Sequence, residues 1–399
     1  MNTRVLLVSH MPYTDPYGAA SALRLSVGAL MDSDDLGITL CLAAPDTSPM
    51  LAPFSRTLSV KIPMQLNFDG APPLWQTAIW NVASSVQGRF NLRRDSTFSD
   101  LVQQSDIVHL NSVSLAWLPH LLKLNSNQGP KFICHVRENV KSTFSRSTEI
   151  LGRLDGFICI DETVLKRLGH GEEISQRKPV LVLPDLVNSQ PTSDSPLSRH
   201  IRRWAGDRWV AGVAGRIDPV KGFSFIASVT RMRPDKLRLV AAGRVTRNPL
   251  RFDSKIEAQR LLGDRNAKTN GVLHLGEIPD LPGSGFYEGL DVLVRGEAYP
   301  AAGLTVYEAL VRGVPVILPG KLADYRSNPL LEEAWDLISF ASPRDERSYM
   351  AAIENALAIS EQVKRETAEE LQLRQVERVR IHRESLMRFY QHILSEREF

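Results

Sequence analysis

The chain has 399 residues, 43% of them hydrophobic and 23% charged, and a formal net charge of +3. This composition excludes disordered, collagen-like and low-complexity proteins, and the length is typical of two domains. Residues 191–270 hold 17 basic and 7 acidic side chains, but the arginines are dispersed among apolar segments rather than interleaved with aromatic residues, so we expect no nucleic acid partner.

The first half of the sequence alternates strands with helical segments. It opens with TRVLLVSH, an apolar run typical of a buried parallel strand, followed by the loop HMPYTDPYGAA and a helical pattern with apolar positions at Leu23, Val27, Leu30 and Met31. Further predicted strands are ITLCLAA, DIVHL, KFICHV, GFICI and PVLVLP. Such alternation predicts an α/β fold, a parallel sheet covered on both faces.

Polar residues directly follow several of these strands. They are His10, Asn111, His135 and Asp161. Ligands of doubly wound sheets bind at the carboxyl ends of the strands, so these positions are candidates for a binding site.

The alternation breaks and then restarts. Residues 184–206 are rich in Pro, Ser, Asp and Asn, which predicts a linker. After it come the predicted strands WVAGVAG, LRLVAAG, GVLHLG, DVLVR and PVIL, with helices near 223–232, 255–262 and 304–312, and helix throughout 346–394. We therefore predict doubly wound domains over 1–190 and 191–375, a helix over 376–399 that packs back towards the first domain, and an active site in a cleft between the domains.

The three cysteines favour a reducing compartment. Cys41, Cys134 and Cys159 lie in apolar segments and lack the CxxC spacing of a zinc site, which predicts buried free thiols. The sequence shows no signal-peptide pattern and no apolar run of about 18 residues. We expect a cytoplasmic protein, with attachment to the inner face of the cell membrane as the other arrangement open to it.

Two cations lie in the turn of VAGVAGRIDPVKGFSF. Arg216 and Lys221 follow a strand and precede a helix, and Gly222 closes the loop. An arginine fork and a lysine point charge suit a bound diphosphate. Two solvated charges on an Asp-Pro turn are the alternative.

The segment RGEAYPAAGLTVYEALVRGVPVI has a related design. Gly303, Leu304 and Thr305 begin a helix whose unpaired backbone N–H groups favour an anion. Glu308 lies five residues further on, where its carboxylate suits the vicinal diol of a ribose. A buried structural glutamate paired with an arginine is the other interpretation.

Together these segments resemble a known family. GRIDPVKG, HLGEIPDL and GLDVLVRGEAYPAAGLTVYEALVRGVPVI resemble the donor domain of family 4 glycosyltransferases of the GT-B fold, bacterial surface-polysaccharide type. The N-terminal half agrees more loosely, through PYGAASALRL, DIVHLNS, KFICHVREN and VLVLPDLVN. The resemblance covers nearly the whole chain and implies two Rossmann-like domains facing a cleft.

The resemblance also assigns candidate residues. Arg216 and Lys221 match the cations on the donor diphosphate, and Glu308 matches the glutamate that binds the ribose. It further implies donor contacts by Gly18, Asn111, Ile278, Gly303, Leu304 and Thr305, and an acceptor side at His135, Arg137 and Glu138. His135 is also a candidate catalytic residue, although no general base is assigned from the sequence.

One position departs from the family pattern. The family carries two glutamates separated by seven residues, and counting back from Glu308 places the first on Pro300. Glu297 lies three residues earlier and reaches the donor only if the loop curls differently. A donor with another hydroxyl pattern, such as a deoxy sugar, Glu297 as the substitute, or loss of transfer activity would each account for the change.

The resemblance implies a retaining transfer of a hexosyl or deoxyhexosyl group from a nucleotide diphosphate sugar, without a metal or another cofactor. Arg216, Lys221 and the turn at Gly303 would then neutralise the leaving diphosphate. The rival functions are a nucleotide-sugar 2-epimerase and a non-catalytic relative that binds nucleotide or glycan.

The acceptor is predicted from residues 49–94. They contain five basic residues and one acid, and QTAIWNVASSVQGRFNLRR suits an amphipathic helix on anionic lipid. An ordinary helix with core tryptophans is equally open. The membrane interpretation implies a lipid-linked saccharide acceptor, a saccharide being the broader expectation, in surface polysaccharide synthesis.

Overall fold

The protein, seen in a computed structural model, consists of two compact units, Met1–Leu186 with Arg378–Phe399, and Val187–Glu377. The first boundary falls inside the predicted linker. The structure describes residues 2–15, 18–31, 37–46, 54–63, 78–79, 82, 91–92, 94–122, 129–138, 151–168, 174, 176–189, 195–245, 252–262, 271–300, 302–326 and 328–395.

The first unit is built on a parallel sheet. In its described part, seven strands pair in the order β3–β2–β1–β4–β5–β6–β7. They are β1 Thr3–Val8, β2 Ile38–Ala44, β3 Arg56–Ser59, β4 Ile107–Leu110, β5 Lys131–Val136, β6 Gly156–Cys159 and β7 Val180–Val182. The longer helices of this unit are α1 Gly18–Met31, α2 Ser96–Gln103, α3 Leu118–Leu122 and α4 Glu162–Arg167.

The second unit repeats this architecture. Its described residues form six parallel strands in the order β10–β9–β8–β11–β12–β13. They are β8 Trp209–Ala214, β9 Leu237–Ala242, β10 Val272–Gly276, β11 Val292–Val294, β12 Val316–Pro319 and β13 Ile338–Ala341. The helices are α5 Pro196–Ala205, α6 Phe223–Arg231, α7 Phe252–Leu262, α8 Leu304–Leu310, α9 Pro329–Glu332 and α10 Glu346–Leu357, and then the long helix α11 Glu361–Ser395.

Both sheets are buried on two faces, as the continuous apolar runs predict. Along β1, Leu6 and Val8 join one hydrophobic cluster and Val5 and Leu7 join the cluster on the opposite face. The second sheet likewise has a separate core on each face. All eleven predicted strands are present among the described residues. The sequence missed β3 and β13, which are both edge strands, because neither RTLS nor ISFA is a continuous, fully buried apolar run.

Two helix predictions need correction. Part of the predicted linker is the helix α5, because the Ser195 hydroxyl accepts a 3.0 Å hydrogen bond from the Ser198 N–H, and Pro196 occupies the first turn. The helix predicted over 346–394 is two helices, α10 and α11, which are separated at residues 358–360.

The last turns of α11 complete the core of the first unit. Leu386, Phe389, Tyr390 and Ile393 pack in the same cluster as Leu23, Val27 and Leu30 of α1. Met31, predicted on the apolar face of α1, is instead 43% exposed. The spacing of the four α11 residues matches one face of a helix, which explains why this segment docks although it is rich in charge.

The strand order places a topological switch point in each unit. The chain reverses its direction of strand addition between β1 and β4, and again between β8 and β11. At this point the loops that follow two adjacent strands run in opposite directions. The crevice between these loops is where ligands of such sheets bind. Among the candidate residues, Asn111 follows β4, Arg216 follows β8 and Glu297 follows β11.

Most of the predicted membrane-binding segment lies outside the described residues, including Trp75, Trp80 and Phe90. Arg56 and Lys61, which belong to its basic set, are described and are exposed. None of the described helices has the length and apolarity that a membrane span requires. The three cysteines are buried and free, as expected.

Candidate functional site

The loop after β8 carries the two predicted cations of the second unit. Arg216 is 44% exposed, with its guanidinium 3.9 Å from the Asp218 carboxylate, and Lys221 is 26% exposed. Asp218 is buried and its Oδ1 accepts a hydrogen bond from the Lys221 backbone N–H at 3.1 Å. This bond fixes the turn that presents both cations at the end of the strand.

Glycines allow this loop to approach the loop after β11. Gly222 has a φ of +64°, and a Cβ there would lie 2.0 Å from the Gly296 carbonyl oxygen. Gly296 would in turn place a Cβ 2.6 Å from the Gly222 carbonyl oxygen. The two backbones therefore touch directly, which only glycine permits.

Glu297 lies at this contact and is 1% exposed. Its Oε1 accepts a hydrogen bond from Lys221 Nζ at 3.0 Å, and its Oε2 accepts one from Arg295 Nε at 3.1 Å. A second Arg295 nitrogen also donates to Oε1. Burial raises the pKa of Glu297, but Arg295 and Lys221 outweigh it and hold the pKa below its usual range.

The same arginine reaches the turn at Gly303. Arg295 donates to the Thr305 hydroxyl at 2.6 Å, and its nitrogens lie 3.6 Å from where a Gly303 Cβ would be. Gly303 is the N-cap of α8, followed by the half-buried Leu304. The structure thus brings five predicted site residues together in one cluster: Arg216, Lys221, Glu297, Gly303 and Thr305.

Glu308 is 4% exposed and points towards a tyrosine. Its Oε2 accepts a 2.5 Å hydrogen bond from the Tyr287 hydroxyl. Burial raises the pKa of Glu308, while Tyr287 and Arg312 act in the opposite direction. Among the described residues no donor contacts Oε1, so this oxygen is available to a ligand hydroxyl. Arg312 donates to the Glu308 backbone carbonyl at 2.9 Å, not to its carboxylate.

Ile278 lies two residues after β10 and packs against the core with a half-buried side chain. The donor contact that the resemblance assigns to Ile278 stays a prediction.

In the first unit, Asn111 and Arg137 form a buried polar network. Asn111 donates to the Ala19 carbonyl at 2.9 Å, and Arg137 donates to the Asn111 side-chain oxygen. Arg137 also donates to Asp185 at 2.9 Å. The network connects the end of β4 to the start of α1, where Gly18 is exposed with a φ of +53°.

Glu138 fastens the loop after β5. Its carboxylate accepts hydrogen bonds from the Ser112 hydroxyl at 2.6 Å and from the Arg137 backbone N–H at 3.2 Å. Burial raises the pKa of Glu138, and the Ser112 hydrogen bond opposes the rise. These contacts give Glu138 a defined structural role at the predicted acceptor side.

His135 is buried at 2% exposure beside a second histidine. Its ring stacks on His109 at a centroid distance of 5.5 Å, and its Nε2 lies 3.9 Å from Asp185. Burial, with Arg137 nearby, holds the pKa of His135 well below its usual value. The ring is therefore neutral, the form that a general base requires, although it is deeply enclosed.

Comparison with known structures identifies the architecture. HepE of Anabaena, in complex with UDP and glucose, matches 96% of this chain and 98% of its own with a TM-score of 0.66 at 13% identity. Sucrose-phosphate synthase of Thermosynechococcus elongatus matches 96% and 98% with a TM-score of 0.65 at 17% identity. Trehalose-6-phosphate synthase OtsA matches 99% of both chains with a TM-score of 0.66 at 14% identity.

The chain has the GT-B fold. At these identities the likeness establishes the fold alone, and the predicted fold class is confirmed. No protein-family profile and no curated protein matches the sequence.

Three residues of the candidate site escaped the sequence reasoning. Arg295 pairs with Glu297, Tyr287 binds Glu308, and Arg344 donates to the Pro219 carbonyl of the cation loop at 2.9 Å. Arg344 has a φ of 61°, the one described non-glycine residue with a positive φ. Their sequence signal was weak, but Arg295 stands where a buried strand ends, the position used to select His10 and Asn111.

Proposed function

We propose that the chain is a glycosyltransferase that moves a sugar from a nucleotide diphosphate sugar to a saccharide acceptor. The proposal extends to retention of the anomeric configuration, to the absence of a required metal, and to a hexosyl or deoxyhexosyl donor of the family 4 type. HepE, which shares this fold, has been seen with UDP-glucose and with UDP.

The convergence of cations at the second switch point carries this proposal. Arg216 and Lys221 lie at the end of β8, and the turn at Gly303 is joined to them through Arg295 and Glu297. A diphosphate supplies the negative charge that such a cluster binds. Glu308 then offers Oε1, which no donor among the described residues contacts, to a ribose hydroxyl, while Tyr287 holds the other oxygen.

The chemistry of transfer explains why cations are needed. The bond between the anomeric carbon and the diphosphate oxygen breaks, and the acceptor hydroxyl oxygen bonds to that carbon. The departing diphosphate gains negative charge, which Arg216 and Lys221 stabilise, and it is suited to accept the hydroxyl proton. No side-chain nucleophile takes part, and His135 stays a candidate base.

Nucleotide binding provides the direct test. We expect one class among UDP-, GDP-, dTDP-, ADP- and CMP-sugars, with its free nucleotide, to raise the melting temperature of the wild type. Arg216→Ala and Glu308→Ala should each weaken binding about tenfold or more, because each removes hydrogen bonds of a charged group. Thermal shift screening followed by calorimetry measures both effects.

The control is Arg347→Ala, which removes an exposed arginine of α10 in the same unit. It should bind nucleotide as the wild type does. The proposal fails if no nucleotide binds. An isomerised sugar nucleotide formed without acceptor would indicate a 2-epimerase, and binding without transfer or hydrolysis would indicate a non-catalytic relative.

We also propose a lipid-linked saccharide acceptor at an anionic membrane surface, in bacterial surface polysaccharide synthesis. The support is the basic, aromatic composition of residues 49–94 and the exposure of Arg56 and Lys61. Each basic side chain near an anionic surface contributes about 1 kcal/mol of attraction.

In a flotation assay, we expect the protein to rise with vesicles containing anionic phospholipid and to stay behind with neutral vesicles. Arg56→Glu with Lys61→Glu should reduce the bound fraction, whereas Arg347→Glu should leave it unchanged. Equal behaviour with both kinds of vesicle would contradict the membrane proposal.

A further inference from the structure

The carboxylate of Glu297 is fully engaged by two cations. Lys221 donates to Oε1 at 3.0 Å, and Arg295 donates to both oxygens. The Tyr349 hydroxyl, which donates to the Arg295 backbone carbonyl at 2.8 Å, anchors the start of this loop. A carboxylate with this many charged donors holds its partners in place rather than offering an acceptor to another molecule.

The position of Glu297 also differs from that of the first glutamate in the family pattern. Pro300 occupies the first glutamate position of the family pattern, and its Cγ lies 3.3 Å from where a Cβ of Gly320 would be. Glu297 instead follows β11 by three residues and points at the loop after the neighbouring strand β8. The altered motif has thus kept an acid in the loop but has given it different partners.

Arg295 connects this ion pair to the turn at Gly303, the other part of the proposed diphosphate site. It joins the Lys221–Glu297 ion pair to the Thr305 hydroxyl at 2.6 Å, next to Gly303. Without a carboxylate between them, the buried Arg295 and the half-buried Lys221 would repel each other, and the free-energy cost of removing their charges from water would no longer be offset. Lys221 needs this support most, since the lysine chain is flexible and its amine is a point charge.

We propose that Glu297 and Arg295 form a brace that positions Lys221 against the Gly303–Thr305 turn for the donor diphosphate. Glu297 is therefore a positioning residue of the phosphate site and not a contact of the transferred sugar. This inference rests on the proposed function, which it refines by assigning the altered acidic motif to the diphosphate half of the donor.

Calorimetry on Glu297→Gln tests the brace. The probes are the nucleoside diphosphate and the nucleotide sugar that stabilise the wild type, together with inorganic pyrophosphate. We expect affinity for all three to fall by a similar factor of about ten, the effect of losing a charge-assisted hydrogen bond. In the Lys221→Ala background, Glu297→Gln should add little, because the residue acts through Lys221.

Three results would overturn the brace. A loss restricted to the nucleotide sugar would make Glu297 a sugar contact. Unchanged or tighter binding of pyrophosphate and nucleotide would show that the charge of Glu297 merely opposes the ligand. Additive losses of affinity in the Lys221→Ala, Glu297→Gln double variant would show that Glu297 does not act through Lys221. Glu277→Gln, which removes an exposed ion pair with Arg244 in the same unit, is the matched control and should bind as the wild type does.

A second readout needs no nucleotide. Acetylation of Lys221, followed by mass spectrometry at pH 8, should be faster in Glu297→Gln because the amine loses its ion pair, while Glu277→Gln should match the wild type. An unchanged rate would overturn the brace. If the wild type binds no nucleotide but this rate rises, the proposed function fails while the ion pair is upheld.

Should Glu297→Gln not fold, Thr305→Val removes the other end of the brace and should weaken nucleotide binding about threefold. Unchanged nucleotide binding in this variant would again count against the brace.

Discussion

Acidification from pH 7.5 to pH 5.0 is expected to lower the free energy of unfolding of the first unit by several kcal/mol. The cause is a group of three buried histidines, His109, His135 and His382, each at 2% exposure. His109 and His135 lie in β4 and β5, and His382 lies on α11. Protonation would place up to three new positive charges in this core, close to the fixed charge of Arg137.

Each histidine is held in its neutral form by its surroundings. His109 Nδ1 lies 2.8 Å from the Tyr390 hydroxyl, and the two nitrogens of His382 contact the Ser26 hydroxyl at 3.0 Å and the Pro184 carbonyl at 3.1 Å. Burial lowers the pKa of His109 to about 3 and that of His382 to about 4.

The direction of the effect follows from these values. A base whose pKa is lower in the folded state stabilises the fold fully above its unfolded pKa of 6.5 and loses that contribution as the pH falls towards the folded pKa. At pH 5.0 the loss is about 2 kcal/mol each for His109 and His382, from 1.36 kcal/mol per pH unit, and the lowered pKa of His135 acts in the same direction. The loss therefore develops between pH 6.5 and about 4 for His382, and between pH 6.5 and about 3 for His109.

Urea denaturation at the two pH values measures this loss. His382→Gln keeps a polar side chain that cannot be protonated, and we expect it to reduce the pH-dependent loss by about 2 kcal/mol. His120→Gln, at an exposed position of α3, should keep the wild-type dependence. The same dependence in His382→Gln and wild type would refute the explanation.

Gly222→Ala is expected to cost more than about 3 kcal/mol of stability and to abolish nucleotide binding. The added Cβ would lie 2.0 Å from the Gly296 carbonyl oxygen and 2.8 Å from an Arg344 nitrogen. The loops after β8 and β11 would have to separate, which moves Lys221 away from Glu297. Urea denaturation and calorimetry with the screened nucleotide measure the two effects.

Gly206→Ala is the matched control for backbone conformation. Gly206 has the same φ of 64°, and its ψ of −132° is at least as unfavourable for alanine, but in the described part of the chain no atom beyond its sequence neighbours lies within 4 Å of its Cβ position. We expect a loss of about 1–2 kcal/mol and normal nucleotide binding. Equal losses in the two variants would mean that conformational strain, rather than the close approach, determines the cost.

The parallel sheets were predictable because their strands are continuous apolar runs such as VLLV and FICHV. A strand buried on both faces needs no partner information to be recognised in a sequence. The edge strands β3 and β13 were missed because RTLS and ISFA lack such a run. The helix α5 was missed because its Ser-Pro start was interpreted as part of a linker.

The candidate residues Arg216, Lys221 and Glu308 were selected from loops and turns that the sequence displays by itself. The sequence thus determined the two doubly wound units and which loop holds each of these three residues, because both are properties of local segments. Only the tertiary structure decided what Glu297 does. Its partner Lys221 is distant in the chain, and the two meet because β8 and β11 are adjacent in the sheet. The hydrogen bond between Tyr287 and Glu308 also depends on the tertiary structure. Strand order and helix packing bring these two side chains together, and their spacing in the sequence does not predict the contact.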